Sequence, residues 1–233
     1  MRILTPAAVL ALVILIEGFF LINNSNNIAL NFYILCGYMV LGGSSKYIDE
    51  AYDESIFNKK IALFLAAVSM FLLVSLVFID YISGIIFIAV AVGLLGSGKI
   101  DNLIFRLLTV SILISAVLRL LISPVAIDLS SLSTELFIFI AIAFSSFADE
   151  WLNDFSDRHK NSLIFVLKVI FHNRLITKIT ILLFCIFGYK PNLYFMAFLG
   201  FDAAYSLIDN LGDRVKEKIL RAKQNTLYPE VKI

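Results

Sequence analysis

The run IALFLAAVSMFLLVSLVFI, residues 61–79, decides what solvent this chain is built for. Its nineteen positions are broken only by Ser69 and Ser75. A helix of about 20 such residues crosses the roughly 30 Å of a bilayer's hydrocarbon core. Working outward from it, further apolar runs occupy residues 6–22, 28–43, 82–98, 103–123, 133–148, 175–189 and 192–208. The segment 161–172, interrupted by Lys168, suits an amphipathic helix lying in the interface better than a span. The expectation is an all-α, polytopic integral membrane helical bundle of about eight transmembrane helices.

Composition agrees. Of 233 residues, 60% are hydrophobic and only 16% charged, more apolar side chain than a soluble domain of this length can hide. A net charge of +1 gives no reason to expect a nucleic-acid partner. Cys36 and Cys185 both fall in apolar runs and form neither a disulfide framework nor a metal-ligand spacing. Met1-Arg2 before an apolar run looks like a signal-peptide start without a small-residue cleavage site, and reads as a retained first span. With eight spans, nearly all lysines and arginines fall on one side, and only Lys190 and the helix-end Arg119 on the other. The positive-inside rule makes that basic side, with both termini, cytoplasmic at the cell membrane. Residues 1–233 then form one membrane domain ending in a cytoplasmic tail, 214–233.

Two short strings recur in order. Ser44-Ser45-Lys46-Tyr47-Ile48-Asp49-Glu50 is similar to Ser145-Ser146-Phe147-Ala148-Asp149-Glu150, and Ile100-Asp101-Asn102-Leu103 with Arg106 is similar to Ile208-Asp209-Asn210-Leu211 with Arg214. The pattern suggests two parallel four-helix repeats, 1–102 and 103–213, related by an axis along the membrane normal. Recurrent helix-end chemistry is the plainer explanation.

The acidic residues carry the chemical expectation. Asp49 and Asp53 are four apart; Glu150, Asp154 and Asp157 keep an i, i+4, i+7 spacing; Asp202, Asp209 and Asp213 form a similar stripe. Like charges gathered near low dielectric repel unless a cation intervenes. Magnesium accepts carboxylate oxygens while keeping waters and substrate phosphates. Asp202 lies in the apolar Ala197–Tyr205 stretch, where an ionisable group is expensive and should face a protein cavity. Solvated helix ends suit Glu54, Glu217 and Glu230 better. Lys46 and Lys99 stand beside the first cluster, and Arg158, Lys160, Arg174 and Lys178 beside the second, where with bound magnesium they would hold a diphosphate and assist its departure. Topological flanking explains any one of those bases as well. Glu17 and Arg119 lie at comparable depth and would form a structural ion pair, with a transport pathway as the competing explanation. His159 and His172 have no metal-ligand spacing.

At this level the chain resembles a small, distant member of the UbiA superfamily of intramembrane prenyltransferases. That family carries aspartate-rich motifs after its second and sixth helices. Glu150-Trp151-Leu152-Asn153-Asp154-Phe155-Ser156-Asp157-Arg158 is similar to the second, with Asn153 where the family has lysine. Asp49 and Asp53 match the last two aspartates of the first, while Ser45 and Lys46 stand at its Asn-Asp positions. The resemblance implies Mg2+ on Asp49, Asp53, Asp154 and Asp157, a prenyl diphosphate as substrate, and transfer of the prenyl group to a lipophilic acceptor. Asp154, Arg158 and Lys46 are the expected catalytic residues, and Lys99, Arg174 and Lys178 the expected diphosphate-binding ones. The metal set extends to Glu150, Asp202 and Asp209. A divalent-cation transporter or channel is the competing expectation, and a non-catalytic scaffold the third. The sequence fixes neither the acceptor nor an oligomeric state.

Overall fold

The computed structural model describes residues 8, 11, 12, 27–98, 103–122, 129–158, 175–189 and 191–227. Among these the chain is all-α. Its seven principal helices are α1 (Ile28–Tyr52), α2 (Lys59–Ile79), α3 (Tyr81–Gly96), α4 (Leu103–Ile122), α5 (Leu129–Arg158), α6 (Leu175–Ile186) and α7 (Asn192–Leu227).

The expected count of about eight membrane-spanning helices is corrected. Among the described residues, three stretches are long and apolar enough to cross a membrane: Ile28–Tyr52, Lys59–Ile79 and Leu132–Ser156. Two other apolar helices, Tyr81–Gly96 and Leu175–Ile186, are shorter. At 1.5 Å per residue they reach only about 24 and 18 Å, less than the hydrocarbon thickness. The runs 82–98 and 175–189 are truncated by glycine: Gly98 and Gly188 take φ of +72° and +73°, conformations that end a right-handed helix. The expected first span, 6–22, and the interfacial segment 161–172 lie outside the described residues.

The two four-helix repeats are corrected with it. Their last members should correspond, yet α3 stops at Gly96 whereas α7 runs without a break from Asn192 to Leu227. Ile208-Asp209-Asn210-Leu211 lies inside that helix, while Ile100-Asp101-Asn102 of the other string lies outside the described residues. Asp49 also pairs with a lysine, whereas Asp149 accepts backbone N–H groups.

The chain divides into two compact units, one made of Met1–Ser69 with Leu199–Ile233 and the other of Met70–Phe198. The boundaries fall within α2 and α7.

In the first unit, Ile34, Tyr38, Leu41 and Ile48 make a buried stripe along α1, spaced three, four and seven residues apart. Phe32 and Val40 point away from it and are exposed. Lipid offers apolar side chains no drive to leave it, so helices there associate through close packing at small residues. Gly42 is such a point. A Cβ built on it would overlap the Phe201 carbonyl oxygen of α7, so no larger residue fits without moving a backbone.

In the second unit, α3 begins at Asp80, whose Oδ2 accepts the Ser83 N–H at 2.7 Å and caps the helix. Its other oxygen accepts the Tyr194 hydroxyl at 2.8 Å. Helix α3 packs on α5, where the Ser146 hydroxyl donates to the Val90 carbonyl at 3.4 Å. Arg119 of α4 donates to the Val77 carbonyl, and its guanidinium lies 5.5 Å from the Tyr81 ring centroid. Glu17, its expected partner, lies outside the described residues.

Candidate functional site

The first unit gathers its charge where α1 and α7 approach. Lys46, Asp49 and Glu50 occupy one turn of α1, because residues three and four apart share a helix face. The Lys46 ammonium lies 3.3 Å from Asp49 Oδ2, 3.1 Å from Glu50 Oε1 and 2.9 Å from Asp209 Oδ1 of α7. It also sits 5.5 Å from the Tyr205 ring centroid. Glu50 is only 1% exposed, and its second oxygen faces Lys216 of α7 at 3.5 Å. Lys216 in turn pairs with Glu54.

Gly212 completes this arrangement. A Cβ there would come within 2.8 Å of Glu50 Oε2, so the bare α7 backbone makes room for the carboxylate. Burial alone would lower the Lys216 pKa. The Glu54 hydrogen bond and the negative charge of Glu50, Glu54 and Asp213 overcome that and raise it. A buried ion pair of this kind gains little net stability, but losing one partner strands a charge in low dielectric.

The residues expected around this cluster fall in three positions. Asp49 and Asp209 share the Lys46 ammonium. Asp53 is exposed at the C-terminal end of α1, its N–H donating to the Asp49 carbonyl at 2.9 Å. Asp202 is half-buried on α7. Lys99 lies outside the described residues.

The second unit's acidic residues follow from the length of α5. Its apolar stretch continues as helix to Arg158, so that Asp149 and Glu150 share one turn and Asp154 stands on the next. Asp149 is 3% exposed and accepts two backbone N–H groups from the first turn of α6: Ile176 at 3.0 Å and Thr177 at 2.8 Å. It thereby satisfies donors a helix start leaves orphaned, and places negative charge at the positive end of the α6 dipole. Glu150 is 3% exposed and Lys178 8% exposed. Asp154 is half-buried and Arg158 exposed. Trp151 and Phe155 stack on the outer side, ring centroids 6.0 Å apart. The side chain of Asp157, together with Lys160 and Arg174, lies outside the described residues.

Asp49, Asp53, Asp202 and Asp209 thus belong to the first unit, and Glu150, Asp154, Arg158 and Lys178 to the second. Sequence reading missed two roles. Glu50 lay in a quoted string without a function, although its i, i+4 spacing from Lys46 was visible. Asp149 was passed over for its neighbours, and nothing local marks it as a cap for a helix starting some 26 residues later.

Among the described residues, no three His, Cys, Asp or Glu side chains stand so as to hold a metal ion by themselves. Magnesium commonly needs only one or two carboxylates when substrate phosphates and water complete its shell. Glu150 and Asp154 stand one turn apart near the end of α5. In the first cluster a lysine already stands among Asp49, Glu50 and Asp209. No family model, no curated protein and no solved structure matches the chain.

Proposed function

We propose that the chain is a multi-pass cell-membrane protein, termini cytoplasmic, that transfers a prenyl group from a prenyl diphosphate to a lipophilic acceptor. The observation that carries this reading is the end of α5. The membrane-length stretch Leu132–Ser156 carries Glu150 and Asp154, one turn apart on one helix face, near its C-terminal end. Carboxylates at the edge of hydrocarbon are suited to a substrate whose head is a diphosphate and whose tail is a lipid.

Glu150, Asp154 and Asp157 would hold Mg2+ together with the diphosphate, and the ion would supply charge neutralisation for the departing group. Asp154 has the central part, one turn from Glu150. Arg158, exposed one turn further on, would be the cation nearest the departing diphosphate. Lys46 belongs to the separate α1–α7 cluster, where it neutralises Asp49, Glu50 and Asp209.

The deciding experiment is diphosphate release from geranylgeranyl diphosphate by the purified, lipid-reconstituted protein. Release should require magnesium and fall by about a hundredfold or more in Asp154→Asn, as expected when a group acting on transition-state charge is lost. Full turnover in that variant, or turnover indifferent to magnesium, rejects the assignment.

A second reading, cation transport, is favoured by Glu50, a carboxylate only 1% exposed on the membrane-length helix α1. Buried ionisable groups in such helices commonly mark ion pathways. Divalent-cation uptake by sealed proteoliposomes, abolished in Glu50→Gln, would favour transport over prenyl transfer.

A further inference from the structure

Helix α7 continues well past its apolar first half, and the continuation has two unlike faces. Gly212 and Lys216 turn toward α1, where they meet Glu50. At 100° per residue, Arg214, Lys218 and Arg221 fall within roughly 80° of arc on the opposite side, with Leu211 aligned at the end nearer the apolar half. All four are exposed. The basic stripe extends about 10 Å along the axis from Arg214 to Arg221. One carboxylate borders it: Glu217 Oε2, 3.7 Å from Arg221 Nη2.

We propose that this stripe binds the phosphate headgroups of anionic phospholipids in the leaflet where the candidate span α1 ends, since α7 runs beside α1 from Gly42–Phe201 to Lys46–Asp209. The inference rests on the membrane reading but not on the enzymatic one. Three features select that occupant. The cations face away from the protein's own carboxylate cluster, so their charge is directed outward. Helical side chains tilt toward the N-terminus, which here is the direction in which α7 meets the apolar part of α1, so long arginine and lysine stems lean back toward the bilayer surface. Leu211, exposed at the near end of the stripe, is apolar surface that suits an acyl boundary and not a nucleic-acid backbone.

The test uses the full chain in nanodiscs of phosphatidylcholine mixed with phosphatidylglycerol, with retained lipid quantified after extraction into detergent. A surface cation attracts anionic lipid by about fivefold. The native protein should therefore retain phosphatidylglycerol over phosphatidylcholine by at least about tenfold, and the preference should decline as salt is raised. Arg214→Gln/Lys218→Gln/Arg221→Gln should lose it, while Arg214→Lys/Arg221→Lys keeps it. Equal retention of the two lipids by the native protein, or a salt-independent preference, overturns the proposal without needing any variant. Incorporation without preference leaves the membrane reading standing, whereas failure to enter nanodiscs removes both.

Discussion

Lys46 Nζ lies 2.9 Å from Asp209 Oδ1, joining the last turns of α1 to the long helix α7. The same ammonium holds Glu50, which is 1% exposed. Lys46→Met would leave that buried carboxylate facing Lys216 alone at 3.5 Å. Stranding one member of a buried pair costs about 3–5 kcal/mol. The Lys46→Met variant should therefore unfold at clearly lower temperature in detergent, and Lys46→Met/Glu50→Leu should recover most of the loss. Equal melting of Lys46→Met and the native protein would refute the lock.

Gly212 supplies a prediction whose sign depends on its neighbour. In the native chain, Gly212→Ala puts a methyl within 2.8 Å of Glu50 Oε2 and should destabilise, by about 1–3 kcal/mol for a tightly packed position. With Glu50→Ala already in place the obstacle is gone. The same substitution should then stabilise relative to that background, since alanine is favoured over glycine in a helix by about 1 kcal/mol. Thermal unfolding of the four proteins measures both effects, and a methyl that costs the same in each background contradicts the contact.

The helical class and the longest spans were open to reading because apolar runs are local. Residues 61–79 became α2 nearly unchanged. Helix ends were less legible for a physical reason: hydropathy reports where apolar side chains stop, and a helix is under no obligation to stop there. Helix α7 continues past Ile208 through Asp209, Lys216 and Lys218, all compatible with helix, while α3 ends where Gly98 reverses φ. The acidic clusters were legible as patterns but not as partnerships. Repulsion among carboxylates was read as a demand for a divalent cation, yet Lys46 and Lys216 stand among Asp49, Glu50, Glu54 and Asp209. Lys46 lay one turn from Glu50 in plain view. Lys216 and Asp209 arrive from a distant helix, and only the fold brings them.

Asp149 and Asp154 should separate structure from chemistry. Asp149 accepts the Ile176 and Thr177 N–H groups, so Asp149→Ala leaves both orphaned at the start of the short helix α6. Hydrogen bonds to a charged group are worth about 1.5–3 kcal/mol, and the variant should melt earlier by a corresponding amount. Asp149→Asn keeps one acceptor and should lose less. If the prenyl-transfer proposal holds, Asp154→Asn should stay folded while losing diphosphate release. Unchanged melting in Asp149→Ala would show that the cap contributes nothing.

Lys216 gives the pH dependence. Burial lowers its pKa, but the Glu54 hydrogen bond and the charges of Glu50, Glu54 and Asp213 prevail, raising it above the ordinary 10.5. A raised lysine pKa means the folded state holds the proton more tightly than the unfolded chain. Its contribution is complete below the unfolded value and disappears as pH climbs through the folded one. Between neutral pH and about 10 the native protein should therefore exceed Lys216→Gln in stability by a constant margin. Above that range the margin should shrink until the two curves meet, because the deprotonated native amine no longer pairs with Glu50. Other lysines and tyrosines titrate equally in both proteins and cancel in the comparison. A margin that persists unchanged into strong alkali would mean that Lys216 acts through its packed stem and not through its charge.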